Sequence, residues 1–323
     1  MSTATVAIHS SQFPKNVRRD LLVSLRSRKI AHKFHYDSVK QTQKWLVLHQ
    51  QFAPSRYDEN CRAIYRQSFE AAVGGIKSKR VHLIGLGCGG GQKDTRLLKL
   101  LKSGGKEASY TPSDVSVAMV LTARQTALAV LPEKNCFPLV CDLETMRDLP
   151  ATFNSPVGHA SRVITFFGMI PNFEPQTILP KLASLIRPND FLLFSANMAP
   201  GNNYAAGVEH ILPQYDNAPT RDWLLTFLLD LGVEKSDGDL RFEIETKGGL
   251  KRITAHFRFK RARRIEIEDE QFAFKAGEKI RLFFSYRYTP ERVRKVLVAH
   301  KLEVCEQWIT ESKEEGVFLC RKG

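Results

Sequence analysis

What most constrains this chain is a run of alternating apolar pieces that begins near residue 80. Arg80-Val81-His82-Leu83-Ile84-Gly85 is a short apolar stretch that stops at glycine, the pattern of a strand buried on both faces. Residues 92–103 then place Leu97, Leu98, Leu100 and Leu101 at helical spacing. The alternation continues with a strand at 108–114 and a helix over 116–131 that Pro132 closes. Another strand follows at 137–142, with Pro138 near its start, where a missing donor is tolerated. A strand at 163–168, a helix over 175–187 and a strand at 191–196 complete the run. Five strands alternating with helices imply a parallel, doubly wound sheet with right-handed crossovers.

Beyond residue 198 the pattern changes. A helical stretch at 222–231 precedes Arg252-Ile253-Thr254-Ala255-His256-Phe257-Arg258-Phe259, which alternates apolar and polar as a half-exposed antiparallel strand does. A helix over 289–301 leads to strands at 303–310 and 316–321, joined by the charged turn 311–315. A dinucleotide-binding fold would continue with a second βαβ half. A parallel core finished by a helix and a hairpin is instead the chain order of class I methyltransferases, so the expected fold class is α/β with that Rossmann-like sheet.

Charge is unevenly spread. The net charge is +14. Residues 1–56 hold ten Lys and Arg against Asp20 and Asp37, and residues 241–264 hold nine against Glu243 and Glu245. Such segments attract nucleic acid or other anions, or form a solvated face. No apolar run approaches the roughly 20 residues needed to cross a bilayer, and the Ser- and Arg-rich first 30 residues lack the apolar region of a secretory signal. Six cysteines without a C-x-x-C pair read as reduced thiols. The expectation is a cytoplasmic protein without a membrane partner, monomeric by default. The nine histidines show no metal-ligand spacing, so no metal is expected.

Gly85-Leu86-Gly87-Cys88-Gly89-Gly90-Gly91 follows the first strand and opens a helix. Glycine lets the backbone approach a ligand closely and adopt positive φ, and strand, glycines and helix stand in the order a nucleoside-binding loop requires. Asp114 and Asp142 fall where the next two strands end, and ligands of parallel sheets lie beyond the carboxyl ends of the strands. Asp114 suits two ribose hydroxyls; Asp142 suits an adenine amino group, with Leu143 beside the ring. Helix N-capping is the alternative for either carboxylate. A phosphate-cradling G-x-x-x-x-G-K-[ST] loop is missing from the sequence, which disfavours ATP, while NAD stays open.

At this point the chain resembles the S-adenosylmethionine-dependent histidine Nα-methyltransferases of ergothioneine biosynthesis and their fungal tryptophan-derivative N-methyltransferase relatives. The resemblance runs roughly from Lys33 to Leu319. Leu86-Gly87-Cys88-Gly89 with Lys93, Thr95, Arg96, Leu97 and Leu98 resembles the family's cofactor loop and helix. Tyr110-Thr111-Pro112-Ser113-Asp114-Val115-Ser116 is similar to its Y-x-P-x-D-x-S strand end. Phe166-Phe167-Gly168 with Pro171-Asn172-Phe173 resembles its F-x-G…G-N stretch, one residue shorter, and Ser285-Tyr286-Arg287-Tyr288 its S-x-K-[FY] segment.

The resemblance implies S-adenosylmethionine as cofactor, held by Gly85, Gly87, Gly89, Lys93, Asp114, Asp142 and Leu143. It implies an inserted α+β substrate-binding domain built from residues 1–56 and 199–284, set around a cofactor domain of 57–198 that 285–323 completes. Tyr36 and Tyr215 would hold an amino-acid carboxylate, and Asn172 would orient the α-amine, making Asn172 and Tyr36 the catalytic candidates. Phe52 falls where the family has a tyrosine. Phe283 replaces the glutamate that binds imidazole in the histidine enzymes, two residues before Ser285. A phenyl ring cannot accept an imidazole N–H, and a buried unpaired N–H costs about 1–3 kcal/mol. The expected acceptor is therefore the α-amine of an amino acid or related small amine, not histidine, with an aromatic or apolar side chain.

Two other readings stand beside this one. The basic segments suggest nucleic-acid methylation, disfavoured because the fourth strand runs into Met169-Ile170-Pro171-Asn172 rather than an N-P-P-Y-type loop. Phe52 and Phe283 both subtract polar groups, which suggests a non-catalytic protein that binds S-adenosylmethionine.

Overall fold

A computed structural model describes residues 3–154, 158 and 160–323. In chain order its strands are β1 (Ala7–Ile8), β2 (Arg80–Leu86), β3 (Glu107–Asp114), β4 (Leu139–Val140), β5 (Ser161–Phe166) and β6 (Phe191–Asn197). They continue with β7 (Gly238–Lys247), β8 (Leu250–Phe259), β9 (Arg263–Ile267), β10 (Glu270–Phe274), β11 (Lys279–Tyr286), β12 (Leu302–Ile309) and β13 (Glu315–Lys322). The chain divides into two compact units. One comprises Met1–Gln12, Pro54–Met198 and Tyr288–Gly323; the other comprises Phe13–Ala53 and Ala199–Arg287.

The first unit is an eight-stranded sheet in the order β1-β4-β3-β2-β5-β6-β13-β12. Neighbours from β1 to β6 pair in parallel, while β13 pairs antiparallel with β6 and with β12. This is the expected mixed α/β architecture. Val81 to Leu86 are all buried, as a central parallel strand covered on both faces requires. The helix Gln92–Ser103 buries Leu97, Leu98 and Leu101, and the helix Glu59–Gly75 adds Tyr65 and Phe69 to the same core. His82, inside β2, is a satisfied core histidine: its Nδ1 lies 2.8 Å from Ser109 Oγ and its Nε2 3.1 Å from Thr111 Oγ1.

Two expectations about the first unit need correction. The sequence places residues 1–12 with the substrate segment, yet Ala7 and Ile8 pair with Leu139 and Val140 and so extend the first unit's sheet. The strand expected over 137–142 contracts to Leu139–Val140, since Pro138 has no N–H to continue the ladder.

The second unit holds a three-stranded antiparallel sheet, β11-β8-β7, and the hairpin β9-β10. Four helices belong to it: Pro14–Ser27, Val39–Phe52, Tyr204–Tyr215 and Ala218–Asp230. Leu240, Ala255, Phe257, Ile280 and Leu282 on one sheet face pack with Leu25, Trp223, Leu224 and Phe227 from the helices. A bulge interrupts β11 between Arg281 and Phe283. One extra residue inverts the alternation of a strand. Ile280, opposite Phe257, faces the core, and past the bulge Phe283 and Ser285 face the same side, opposite Ala255 and Ile253. Without the bulge those two side chains would sit on the outer face. The unit's last strand ends at Tyr286, so residues 285–287 belong here and not with the C-terminal segment as expected.

Candidate active site

In the first unit the glycine loop leaves β2 and enters the helix Gln92–Ser103 through three left-handed residues, Gly87 (φ 63), Gly89 (φ 51) and Gly91 (φ 73). A side chain at Gly87 would also collide with Met169, whose Sδ lies 2.4 Å from the position of a Cβ. Gly85 has a different role from its neighbours. It is buried, and a Cβ there would lie 2.2 Å from Asp94 Oδ2. Asp94 accepts from Tyr110 Oη at 2.6 Å and from Thr165 Oγ1 at 2.8 Å. Burial pushes its carboxyl up to about 6 against those hydrogen bonds.

Asp114 ends β3 and is half-buried. Its Oδ2 accepts from Gly89 N at 3.1 Å and its Oδ1 from Ser116 N at 3.0 Å. Ser116, not Asp114, caps the helix Val117–Ala127. Burial raises the Asp114 carboxyl, and the Ser116 and Gly89 amides work against that rise. Asp142 is buried and stabilises a turn: Oδ1 accepts from Glu144 N at 2.9 Å and Oδ2 from Thr145 Oγ1 at 3.0 Å. Leu143 is buried beside it. Lys93 donates to Tyr65 Oη at 2.7 Å and lies 3.8 Å from Glu315 Oε1, with its ammonium over the Tyr65 ring. Tyr65 in turn hydrogen-bonds Glu315 on β13. Tyr65 and Glu315 are not legible as site residues in the sequence, because they lie far from Lys93 in the chain and Glu315 falls in the charged turn 311–315. Asn172 is half-buried in the short helix Ile170–Asn172, directly after the Met169 that covers Gly87.

The second unit gathers an aromatic cluster. Phe283 lies 5.9 Å from the rings of His32 and Trp223 and 6.0 Å from that of Tyr215. Tyr36 contacts Trp45 and Trp223 at 5.7 and 5.6 Å, and its Oη is 3.0 Å from His32 Nε2. The Tyr215 hydroxyl is 2.8 Å from Ser285 Oγ and accepts from Arg287 Nη2 at 2.7 Å. Tyr36, Tyr215, Phe283 and Ser285 are thus brought together. Phe52 is not: it is 46% exposed at the end of its helix and makes no ring contact among the described residues. His32 and His35 were not singled out from the sequence; a 3₁₀ turn at His32–His35 sets them in the cluster. Burial, with His35 adding a lesser effect, lowers the His32 imidazole to about 3, and burial lowers that of His35 to about 4. Both are neutral near pH 7.

The sequence profile of the histidine-specific, S-adenosylmethionine-dependent methyltransferases matches residues 17–322. The chain belongs to that family. It is 25% identical over 244 residues to the N-methyltransferase imqF of Aspergillus flavus, an alignment covering 73% of this chain and 65% of that protein, just under two thirds of its length. Among solved structures it is similar to an S-adenosylmethionine-dependent methyltransferase of Clostridium acetobutylicum (13% identity, TM-score 0.46, 87% of this chain and 98% of that one). It is also similar to the magnesium protoporphyrin IX methyltransferase of Synechocystis with bound SAH (13% identity, TM-score 0.47, 91% and 99%). The family's cofactor is S-adenosylmethionine, and the donors of the first unit fit it. A carboxylate closes the strand next to a loop of left-handed glycines, an apolar residue follows the second acid, and the loop carries no phosphate-gripping Lys-Ser/Thr pair.

Asp114→Ala removes the carboxylate that accepts from the Gly89 amide. Calorimetric affinity for S-adenosylhomocysteine should fall about ten- to hundredfold, whereas an unchanged affinity removes Asp114 from cofactor binding. The two imidazoles give a pH signature. Native His32 and His35 exclude protons that the unfolded chain binds below its ordinary value of 6.5, so stability is complete above that value and is lost as pH falls from about 6.5 toward about 4 for His35 and about 3 for His32. Thermal melting should show this loss, and His32→Asn should lessen its steepness; an equal slope in the variant contradicts it.

Proposed function

We propose that this protein methylates the α-amine of an amino acid or related small amine whose side chain is aromatic or apolar, and that histidine is a poor acceptor. When bound, S-adenosylmethionine supplies a methyl group already activated on a sulfonium. The chain's task is therefore to hold an unprotonated amine in line with it, about 3–3.5 Å away. Asn172 accepts from the amine N–H through its carbonyl and adds no charge that would favour the ammonium form. Asp114 takes the ribose hydroxyls; Gly87, Gly89, Lys93, Asp142 and Leu143 complete the cofactor's contacts. Gly85 belongs beneath them, clearing space for Asp94.

The observation that carries the acceptor class is Phe283 among His32, Trp223 and Tyr215. An imidazole N–H placed there meets ring faces and at most one acceptor nitrogen of a neutral imidazole in place of a carboxylate, while an aromatic side chain gains edge and face contacts worth about 0.5–1.5 kcal/mol beyond its burial. Arg287 supports the carboxylate reading. It is buried and donates to Tyr215, so a substrate carboxylate at Tyr215 and Tyr36 would lie near a positive charge that Ser285 and Tyr215 already orient.

The test is incubation with methyl-labelled cofactor and a panel of amino acids, with RNA and DNA as further acceptors. Label on the amine of aromatic or apolar amino acids is the expected result; transfer only to nucleic acid, or to nothing, overturns the reading. Phe283→Glu should raise kcat/KM for histidine about tenfold or more, the worth of one buried N–H partner, and lower it for aromatic acceptors. Asn172→Ala should lower kcat about a hundredfold with S-adenosylhomocysteine affinity unchanged, and full activity in the variant excludes Asn172 from the transfer.

A further inference from the structure

The outer face of the sheet β11-β8-β7, opposite the aromatic core, carries a second constellation that the methyl transfer does not use. Arg258 and His256 project from β8, with Arg241 of β7 opposite His256 and Lys279 of β11 opposite Arg258. Together with Arg28 from the end of the helix Pro14–Ser27 they line a hollow of ≈ 400 Å³. Like charges placed directly opposite on neighbouring strands repel, so the Arg258–Lys279 pair is unfavourable unless something neutralises it.

The acids at the hollow do so only in part. Glu278 is bonded to Lys275 N at 2.6 Å and lies 3.2 Å from Arg28 Nη1. Glu243 lies 3.5 Å from Lys279 Nζ. Asp239, opposite Arg258 on β7, is paired with Lys260 at 2.7 Å. Arg28 and Lys279 are thus matched, whereas Arg241 and Arg258 have no hydrogen bond or ion pair among the described residues. Between them, His256 is 6% exposed; its Nδ1 has no hydrogen-bond partner and lies 3.7 Å from Glu243 Oε2, while its Nε2 lies 3.6 Å from Glu245 Oε1. Burial and the neighbouring Lys279 lower this imidazole, so it is neutral and contributes a hydrogen bond rather than a charge.

We propose that this hollow is a binding site, separate from the methyl-transfer residues, for a small polyanion bearing two or more phosphate or carboxylate groups, gripped by Arg241 and Arg258 and hydrogen-bonded by His256. The two arginines are diagonal neighbours across β7 and β8, with Cβ atoms roughly 7–8 Å apart, a span one molecule with two anionic groups bridges. Their planar forks match either acid group with paired hydrogen bonds. An extended nucleic-acid backbone fits less well: the hollow is small, and Glu243 and Glu278 on its wall repel a continuous row of phosphates.

Calorimetry on the full-length protein tests this with tripolyphosphate and citrate as probes, the two arms separating phosphate from carboxylate preference. One equivalent of at least one probe should bind, and Arg241→Ala/Arg258→Ala should weaken it about a hundredfold, near tenfold for each guanidinium. Arg264→Ala, an exposed arginine that does not line the hollow, should leave the affinity unchanged, and methyl transfer should be the same in all three proteins. Circular dichroism melting confirms that the variants fold. The proposal is overturned by absence of binding to both probes, by equal weakening in Arg264→Ala, or by binding of an RNA oligonucleotide alone.

Discussion

Asp94 is the keystone of the first unit. Its carboxylate is buried, bonded to Tyr110 of β3 and Thr165 of β5, and seated against Gly85 of β2. One side chain from the helix that follows the glycine loop therefore fastens three adjacent parallel strands at the end where they open. Removing a carboxylate from water is costly, and the rise of its pKa to about 6 records that cost. The two hydroxyl donors offset it only if strand register and helix entry are both correct. The glycine loop above inherits this precision, and Asp114 then draws the loop toward the next strand through the Gly89 amide.

The motif Tyr110-Thr111-Pro112-Ser113-Asp114-Val115-Ser116 makes sense in these terms. Tyr110 bonds Asp94, Ser113 donates to the Gly85 carbonyl at 2.7 Å, Asp114 holds the loop, and Ser116 caps the following helix. Four polar side chains within seven residues each satisfy a different group. The second unit uses another device: the bulge in β11 turns Phe283 and Ser285 inward, so a single inserted residue decides what the aromatic cluster contains.

Much of the first unit was readable because its strands are buried on both faces and its helices carry an apolar stripe, so periodicity and position agree. What escaped is what lacks a period. Ala7–Ile8 is too short to alternate, and the helix Tyr204–Tyr215 is masked by Gly207 and Pro213. The strand β7 carries Arg241, Glu243, Glu245 and Lys247 on its outer face, so its sequence reads as part of a basic run rather than as sheet. At the site, the glycine loop is legible in the sequence, whereas the need for Gly85 to clear Asp94 is not, because nothing local shows that Asp94 turns back beneath it. Phe283 was read from one substitution against the family pattern; its ring partners come from segments up to 251 residues away (His32 to Phe283) and could be named only with the fold in hand.

The central claim is that the crevice organised by Asp94 and Asp114 receives an adenosyl sulfonium. Side-by-side calorimetric titration of the full-length protein with S-adenosylhomocysteine and with NADH addresses it most directly. Saturable heat with the first and none with the second is what the carboxylate and glycine arrangement predicts. Saturation by NADH with no response to S-adenosylhomocysteine would contradict the account.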